Sequence, residues 1–139
     1  MYCYLLQDWI TVRGAPTPPV TFTQPENGYF DASGFQDIVI WLDIKEGSFG
    51  SGGSLAMAYQ TAATKDEMFF VTMGSVQNAS AAGITTTAML KDTTPVPIAR
   101  WLRWQVQVSS GTVWDMTFRI FCALNAIGAN RPKNWPKVG

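Results

Sequence analysis

Hydrophobic residues along this chain recur at every second position, in runs bounded by glycine, proline, serine and asparagine. That period belongs to β-strands, whose side chains alternate between two faces. Leu102, Trp104, Val106 and Val108 alternate with Arg103, Gln105 and Gln107. After Ser109-Ser110-Gly111, the residues Trp114, Met116, Phe118, Ile120, Cys122 and Leu124 alternate with Asp115, Thr117 and Arg119. Each run predicts a long strand with a core side and a water side. Read as one hairpin, the two need an odd-numbered loop, because cross-strand neighbours share a face. A three-residue loop with Gly111 at the left-handed position of a G1 bulge meets that need. It predicts Trp104 opposite Met116 and Leu102 opposite Phe118. On the outer side it sets Arg103 against Thr117 and Gln105 against Asp115. Arg119 then lies over Trp101, a cation–π contact worth about 0.5–1 kcal/mol.

The remaining runs are shorter. Ile38, Ile40, Leu42 and Ile44 alternate with Val39, Trp41 and Asp43, so both faces are partly apolar and the strand is expected to be central and covered on both sides. Leu55, Met57, Tyr59 and Thr61 give another strand, and Met68–Met73 is apolar on both faces. Tyr4–Val12, Val20–Thr23 and Thr85–Leu90 bring the count to about eight. Helix is expected only as a short piece near Thr64–Phe69 or Ala79–Ala82. The prediction is an all-β fold, an antiparallel two-sheet β-sandwich of jelly-roll-like topology. It occupies residues 1–125. Residues 126–139 form an extended, basic, Pro/Gly-rich C-terminal arm with Arg131, Lys133, Lys137 and one large anchor, Trp135. Its prolines exclude a helix, and the arm is expected to dock, either folded back or on a neighbouring chain.

Composition narrows the function classes. The chain has 139 residues, 47% of them hydrophobic, enough for a core without staples. Charged residues are only 14%, and ten basic residues balance ten acidic ones. Such a surface lacks the basic excess of a nucleic-acid binder and has little colloidal repulsion, so much of it is expected to be covered by other protein. No secretory signal and no apolar run of membrane-spanning length is evident, which points to synthesis in a cytoplasm and no membrane partner. Cys3 and Cys122 read as two buried thiols, with a single bridge between terminal strands as the alternative.

The chain has no histidine, so Ser–His and Cys–His nucleophile systems are excluded. Asp31, Asp37 and Asp43, and the pair Asp66-Glu67, are the carboxylates at hand. No metal-loop spacing surrounds them, and no enzyme activity, metal or cofactor is expected. Trp9, Tyr29, Trp41, Tyr59 and Trp101 are candidates for sugar stacking, although aromatic residues more often fill cores and protein interfaces. Trp101, Arg103 and Arg119 are candidates for an exposed aromatic and basic face.

The segments SGFQDIVIWLDI, YQTAATKDEMFFVTM, PVPIARWLRWQV and WDMTFRIFCALN, between Gly34 and Asn125, resemble small proteins of tailed-bacteriophage structural gene clusters. The resemblance implies a virion protein, foremost a head decoration (cement) protein that is β-rich, trimeric and bound to the major capsid protein on the capsid exterior. No catalytic residues are implied. Tyr2 and Tyr4, with Arg131, Lys133, Trp135 and Lys137 of the arm, are the expected partner-binding anchors. Two alternatives stand beside this reading: a carbohydrate-binding β-sandwich module, and a tail, fibre or connector subunit.

Overall fold

The structure, a computed structural model, describes residues 2–15, 20–48, 53–79, 82–110 and 112–127. Among these are nine strands: β1 (Tyr2–Gly14), β2 (Val20–Thr23), β3 (Phe30–Asp31), β4 (Phe35–Ser48), β5 (Ser54–Ala62), β6 (Val71–Ala79), β7 (Gly83–Met89), β8 (Trp101–Ser109) and β9 (Trp114–Ala126). They build a four-stranded sheet in the order β1-β9-β4-β7 and a five-stranded sheet whose main path is β2-β8-β5-β6, with β3 also paired to β8. Every pairing is antiparallel.

The order has a simple origin. Folding the chain on itself between β5 and β6 pairs β5 with β6, β4 with β7, β2 with β8 and β1 with β9. These nested pairs are one long two-stranded ribbon. Rolling the ribbon until β9 meets β4 and β8 meets β5 closes two packed sheets. That is the jelly roll the sequence predicts. Its core lies between the sheets: Ile38, Ile40, Leu42 and Ile44 of β4 and Met116, Phe118, Ile120 and Leu124 of β9 face Leu55, Met57 and Tyr59 of β5 and Leu102, Trp104, Val106 and Val108 of β8. The central place of β4 is as expected, but its second face is half-buried rather than covered by another layer.

The expected β8–β9 hairpin is not formed. The two strands lie in opposite sheets, and Trp104 meets Phe118 edge-to-face across the core at 5.2 Å. An apolar row needs apolar neighbours, and the facing sheet supplies them as well as an adjacent strand does. The outer-face pairings predicted from the hairpin fail with it: Arg119 lies opposite Asp43 of β4, and Gln105 opposite Thr23 and Ala58. The run Met68–Met73 is split, with Glu67–Phe69 in a 3-10 turn and β6 beginning at Val71. Cys3 and Cys122 are free thiols; Cys122 is buried as expected, but Cys3 is exposed because it points outward beside Ala123. Burial pushes the Cys122 thiol up to about 12, which leaves it inert.

Close approach fixes one glycine. Gly14 pairs with Trp114, and a Cβ there would lie 2.5 Å from the buried indole. Gly14→Ala should therefore destabilise the fold by about 2 kcal/mol, read from the urea midpoint, because a rigid core ring cannot step aside. A cost under about 0.5 kcal/mol would show that the indole relocates freely.

Candidate functional site

Three surface regions concentrate the residues that sequence reasoning singled out. The first is the end of the sandwich where β1 starts and β9 stops. Tyr2 pairs with Leu124, and the Ile127 N–H donates to the Gly34 carbonyl at 2.7 Å, so the N-terminal strand and the exit toward residue 128 share that end. Gly34 takes φ 84° in the tight turn Ala32–Phe35, closed by a 3.1 Å bond from Phe35 N–H to the Ala32 carbonyl. The turn sets Phe35 between Tyr2 (5.8 Å) and Tyr4 (6.1 Å), and Tyr4 stacks on Phe30 at 4.9 Å. Both tyrosines remain exposed. Beside them lies an open, mostly apolar cavity of about 190 Å³ lined by Phe35, Gln36, Lys91, Pro97, Ile98 and Ile127. Arg131, Lys133, Trp135 and Lys137 lie outside the described residues, so the expected anchors Tyr2 and Tyr4 are placed and those of the arm are not.

The second region is a lid on the outer face of the five-stranded sheet. Arg103 points away from the core, as its alternation requires, yet is 1% exposed. Residues 64–70 and Tyr29 fold over it. Its guanidinium donates from Nη1 and Nη2 to Glu67 Oε2 and Oε1 at 2.5 and 2.8 Å. Nε donates to Gln60 Oε1 at 2.8 Å, and Nη1 also reaches the Tyr29 hydroxyl at 2.9 Å. Phe70 caps it at 3.8 Å from ring centroid to Cζ. Four of the five donors of the fork are thus used, which makes a buried cation tolerable. Glu67 itself is 73% exposed at its side chain. The turn it anchors holds Met68, 81% exposed, and Phe69 out in solvent. The turn falls within the short helical piece expected near Thr64–Phe69, with Asp66-Glu67 at its start; the exposure of Met68 and Phe69 was not foreseen, because both also belong to an apolar run that reads as strand.

Hydrogen bonds from Arg103 hold the Glu67 carboxyl below the usual carboxylate range. A depressed folded pKa gives stability that is present above the unfolded value and lost as pH falls through the folded one. Acidification should therefore loosen the lid, seen as falling amide-exchange protection at Phe69 and Phe70, whose N–H groups bond Asp66 and Glu67 carbonyls. In Glu67→Gln that acid-dependent change should vanish. Retention of the same acid response would assign it to another group.

The third region is the outer face of the four-stranded sheet. Arg119 lies there, 4.5 Å from the Trp9 ring and 4.7 Å from Phe121, with Nε donating to Asp43 at 2.8 Å. Trp101 is on the other sheet, its ring contacted by Lys65 at 4.4 Å and Arg100 at 4.9 Å. Trp101, Arg103 and Arg119 therefore do not form one exposed face. The predicted Arg119–Trp101 pair is replaced by Arg119–Trp9, because β8 and β9 are not neighbours.

The remaining candidates have structural places. Tyr59 is core, and Tyr29 contacts Arg103 and Phe70. Asp31 accepts bonds from Ser33 N–H and Oγ and lies 3.5 Å from Arg100. Asp37 accepts from Lys91 N–H and Asn125. Among the described residues no group of three or more Cys, Asp or Glu side chains is placed to hold a metal ion, and no helix is long and apolar enough to cross a membrane.

No protein-family model matches the sequence, and no curated protein matches it. Among solved structures the fold is similar to chains of infectious bursal disease virus. The structure of the Gt strain superposes with TM-score 0.57 at 14% identity, and that of the Gx strain with 0.51 at 14%. The crystal structure of the VP2 subviral particle superposes with 0.52 at 12%. Each superposition covers 94% of this chain but only 32–33% of the viral chain, so this chain spans about a third of their length. At these identities the likeness is one of fold.

Proposed function

We propose that this chain is a structural protein of a virus particle, and that it decorates and stabilises a bacteriophage capsid by clamping adjacent major capsid protein subunits. The observation that carries the reading is the jelly roll itself, similar over 94% of the chain to chains of a virus particle. The sandwich end adds a mechanism. Tyr2 and Tyr4 stand exposed there beside an apolar cavity, and the chain leaves toward Arg131, Lys133, Trp135 and Lys137 from Ile127 in that cavity's wall. A rigid sandwich that presents exposed tyrosines at the end where the chain leaves toward a basic segment can grip a neighbouring surface through aromatic hot spots, with cations at the rim of the contact. Repetition over many copies, as a homo-oligomer set as trimers on the exterior of the shell, turns a modest contact into a strong clamp. The role needs no catalytic group and no cofactor.

The test is addition of the purified chain to shells of its source virion. The full chain should saturate them. Truncation before Arg131 should leave the fold intact by circular dichroism and weaken shell binding at least about ten-fold, the expected loss of a tryptophan hot spot and its basic neighbours. Full occupancy by the truncated chain would overturn the arm's role. A full chain that ignores shells yet assembles with tails or fibres would move the protein to that part of the virion.

A further inference from the structure

The two outer sheet faces differ in character. The five-stranded sheet shows water Thr21, Thr23, Gln105, Gln107, Ser75 and Gln77. The four-stranded sheet is built otherwise. Leu5 pairs with Phe121, Phe121 with Trp41, and Trp41 with Thr86, so one cross-strand row is apolar over three of four strands. The row above holds Cys3, Ala123, Val39 and Ala88. The row below holds Arg119, Asp43 and Ile84, with Trp9 over Arg119. Leu5 is 46% and Ile84 67% exposed. Among the described residues the only charges in this centre, Arg119 and Asp43, are already bonded to each other at 2.8 Å. Aromatic side chains and one arginine at the centre, with other charges pushed to the rim, are the anatomy of a protein interface.

The rim indicates the occupant. At one end of the face stand Asp37 and Lys91, joined by a 2.8 Å bond from the Lys91 N–H to Asp37. At the other stand Lys45 and Glu46 of β4 with the cross-strand neighbours Arg13 and Asp115. A two-fold axis lying in the face and running across the strands lays one end of a copy over the opposite end of another. Each strand then lies over its own counterpart, which puts Asp37 of β4 over Lys45 of β4 and sets Lys91, just past the end of β7, one strand away from Glu46 of β4, so opposite charges meet at both rims. From Asp37 to Lys45, residues rise about 3.3 Å each and four strands lie about 4.8 Å apart, giving a face of roughly 30 by 19 Å, or about 1,100 Å² buried between two copies. This clears the floor of about 1,000 Å² for a specific contact. The chain's zero formal net charge opposes no such pairing.

We infer that the outer face of the β1-β9-β4-β7 sheet is a self-association surface, meeting a second copy of this chain face to face about a two-fold axis. A two-fold contact closes a pair, not a trimer. Free in solution it makes dimers, and on a lattice it links chains of neighbouring trimers. The inference does not rest on the capsid reading.

The test is sedimentation of the full chain at micromolar concentration, with circular dichroism as the fold control. The wild type should sediment as a dimer. Leu5→Glu combined with Ile84→Glu, both at exposed positions, should weaken dimerisation at least ten-fold. Lys91→Glu and Glu46→Lys should each weaken it singly, and together restore it, since the double variant re-forms the pair across the axis. A wild type that stays monomeric or is solely trimeric overturns the inference. So does a dimer untouched by Leu5→Glu with Ile84→Glu, or a charge-swapped double no better than its singles. Should those variants keep the dimer yet lose shell binding, the face meets the shell, and the self-association inference fails while the capsid reading stands.

Discussion

Replacing Trp104 with alanine should cost about 4 kcal/mol and lower the melting temperature by roughly 15 °C for a domain of this size. Trp104 is fully buried, and its ring is the bridge between the two sheets, edge-on to Phe118 at 5.2 Å. Its indole N–H donates to Gln7 Oε1 at 3.2 Å, and its backbone sits in a small buried network. Gln24, almost wholly buried, accepts from the Trp104 N–H at 3.2 Å and donates to the Leu6 carbonyl at 3.1 Å and the Gly28 carbonyl at 2.6 Å. The register of β1 on β9 shifts between Leu5 and Gln7, which takes Leu6 out of the ladder, and Gln24 satisfies the carbonyl so displaced. Loss of the indole therefore opens a void between the sheets beside a network that cannot move to fill it. Trp104→Phe keeps an aromatic edge toward Phe118 and should cost about half as much. Differential scanning calorimetry decides it. A drop below about 2 kcal/mol for the alanine variant would mean that the sheets close over the gap, and that the packing across this fold is softer than its burial implies.

The same residue shows how far the sequence could be read. The alternation around Trp104 announced a strand with one buried face, and the structure has it. What alternation does not encode is the neighbour. A row of apolar side chains is satisfied by an adjacent strand of its own sheet or by the opposite sheet, and both give the same pattern. Only the pairing of β8 with β5 and of β9 with β4, formed by segments 39 or more residues away, separates the two. The jelly roll was legible because it needs only the number, length and spacing of strands. Arg103 marks the other limit. Its outward direction followed from period two, but its burial depends on Glu67 and Phe70, which lie 36 and 33 residues earlier in the chain and are brought over it by a turn whose docking on β8 alternation does not encode. Of the expected anchors, Tyr2 and Tyr4 were legible as aromatics at the start of the chain, and the structure exposes both. Their stacking on Phe30 and Phe35 was not, since it arises from the Gly34 turn.

That buried arginine supports the second large effect. Arg103→Ala should cost about 3 kcal/mol, from the void left beneath Phe70 and from Gln60 and the Tyr29 hydroxyl losing a donor. Glu67 adds little to this cost, because its exposed carboxylate is taken up by water. Two further variants separate packing from charge. Arg103→Met keeps most of the side-chain volume and needs no counter-ion, so it should lose only about 1.5 kcal/mol. Arg103→Lys keeps the charge but replaces a planar fork by a single ammonium, which cannot serve Gln60, Tyr29 and both oxygens of Glu67 together; about 2 kcal/mol should be lost. The expected order of stability is wild type, Met, Lys, Ala, from urea midpoints at unchanged slope. All three variants should also free the turn that holds Met68 and Phe69, seen as faster amide exchange at Phe70. A lysine variant more stable than the methionine one would reverse the assignment: attraction to Glu67 at the water's edge, rather than a filled space under Phe70, would then be what fastens the lid to the sheet.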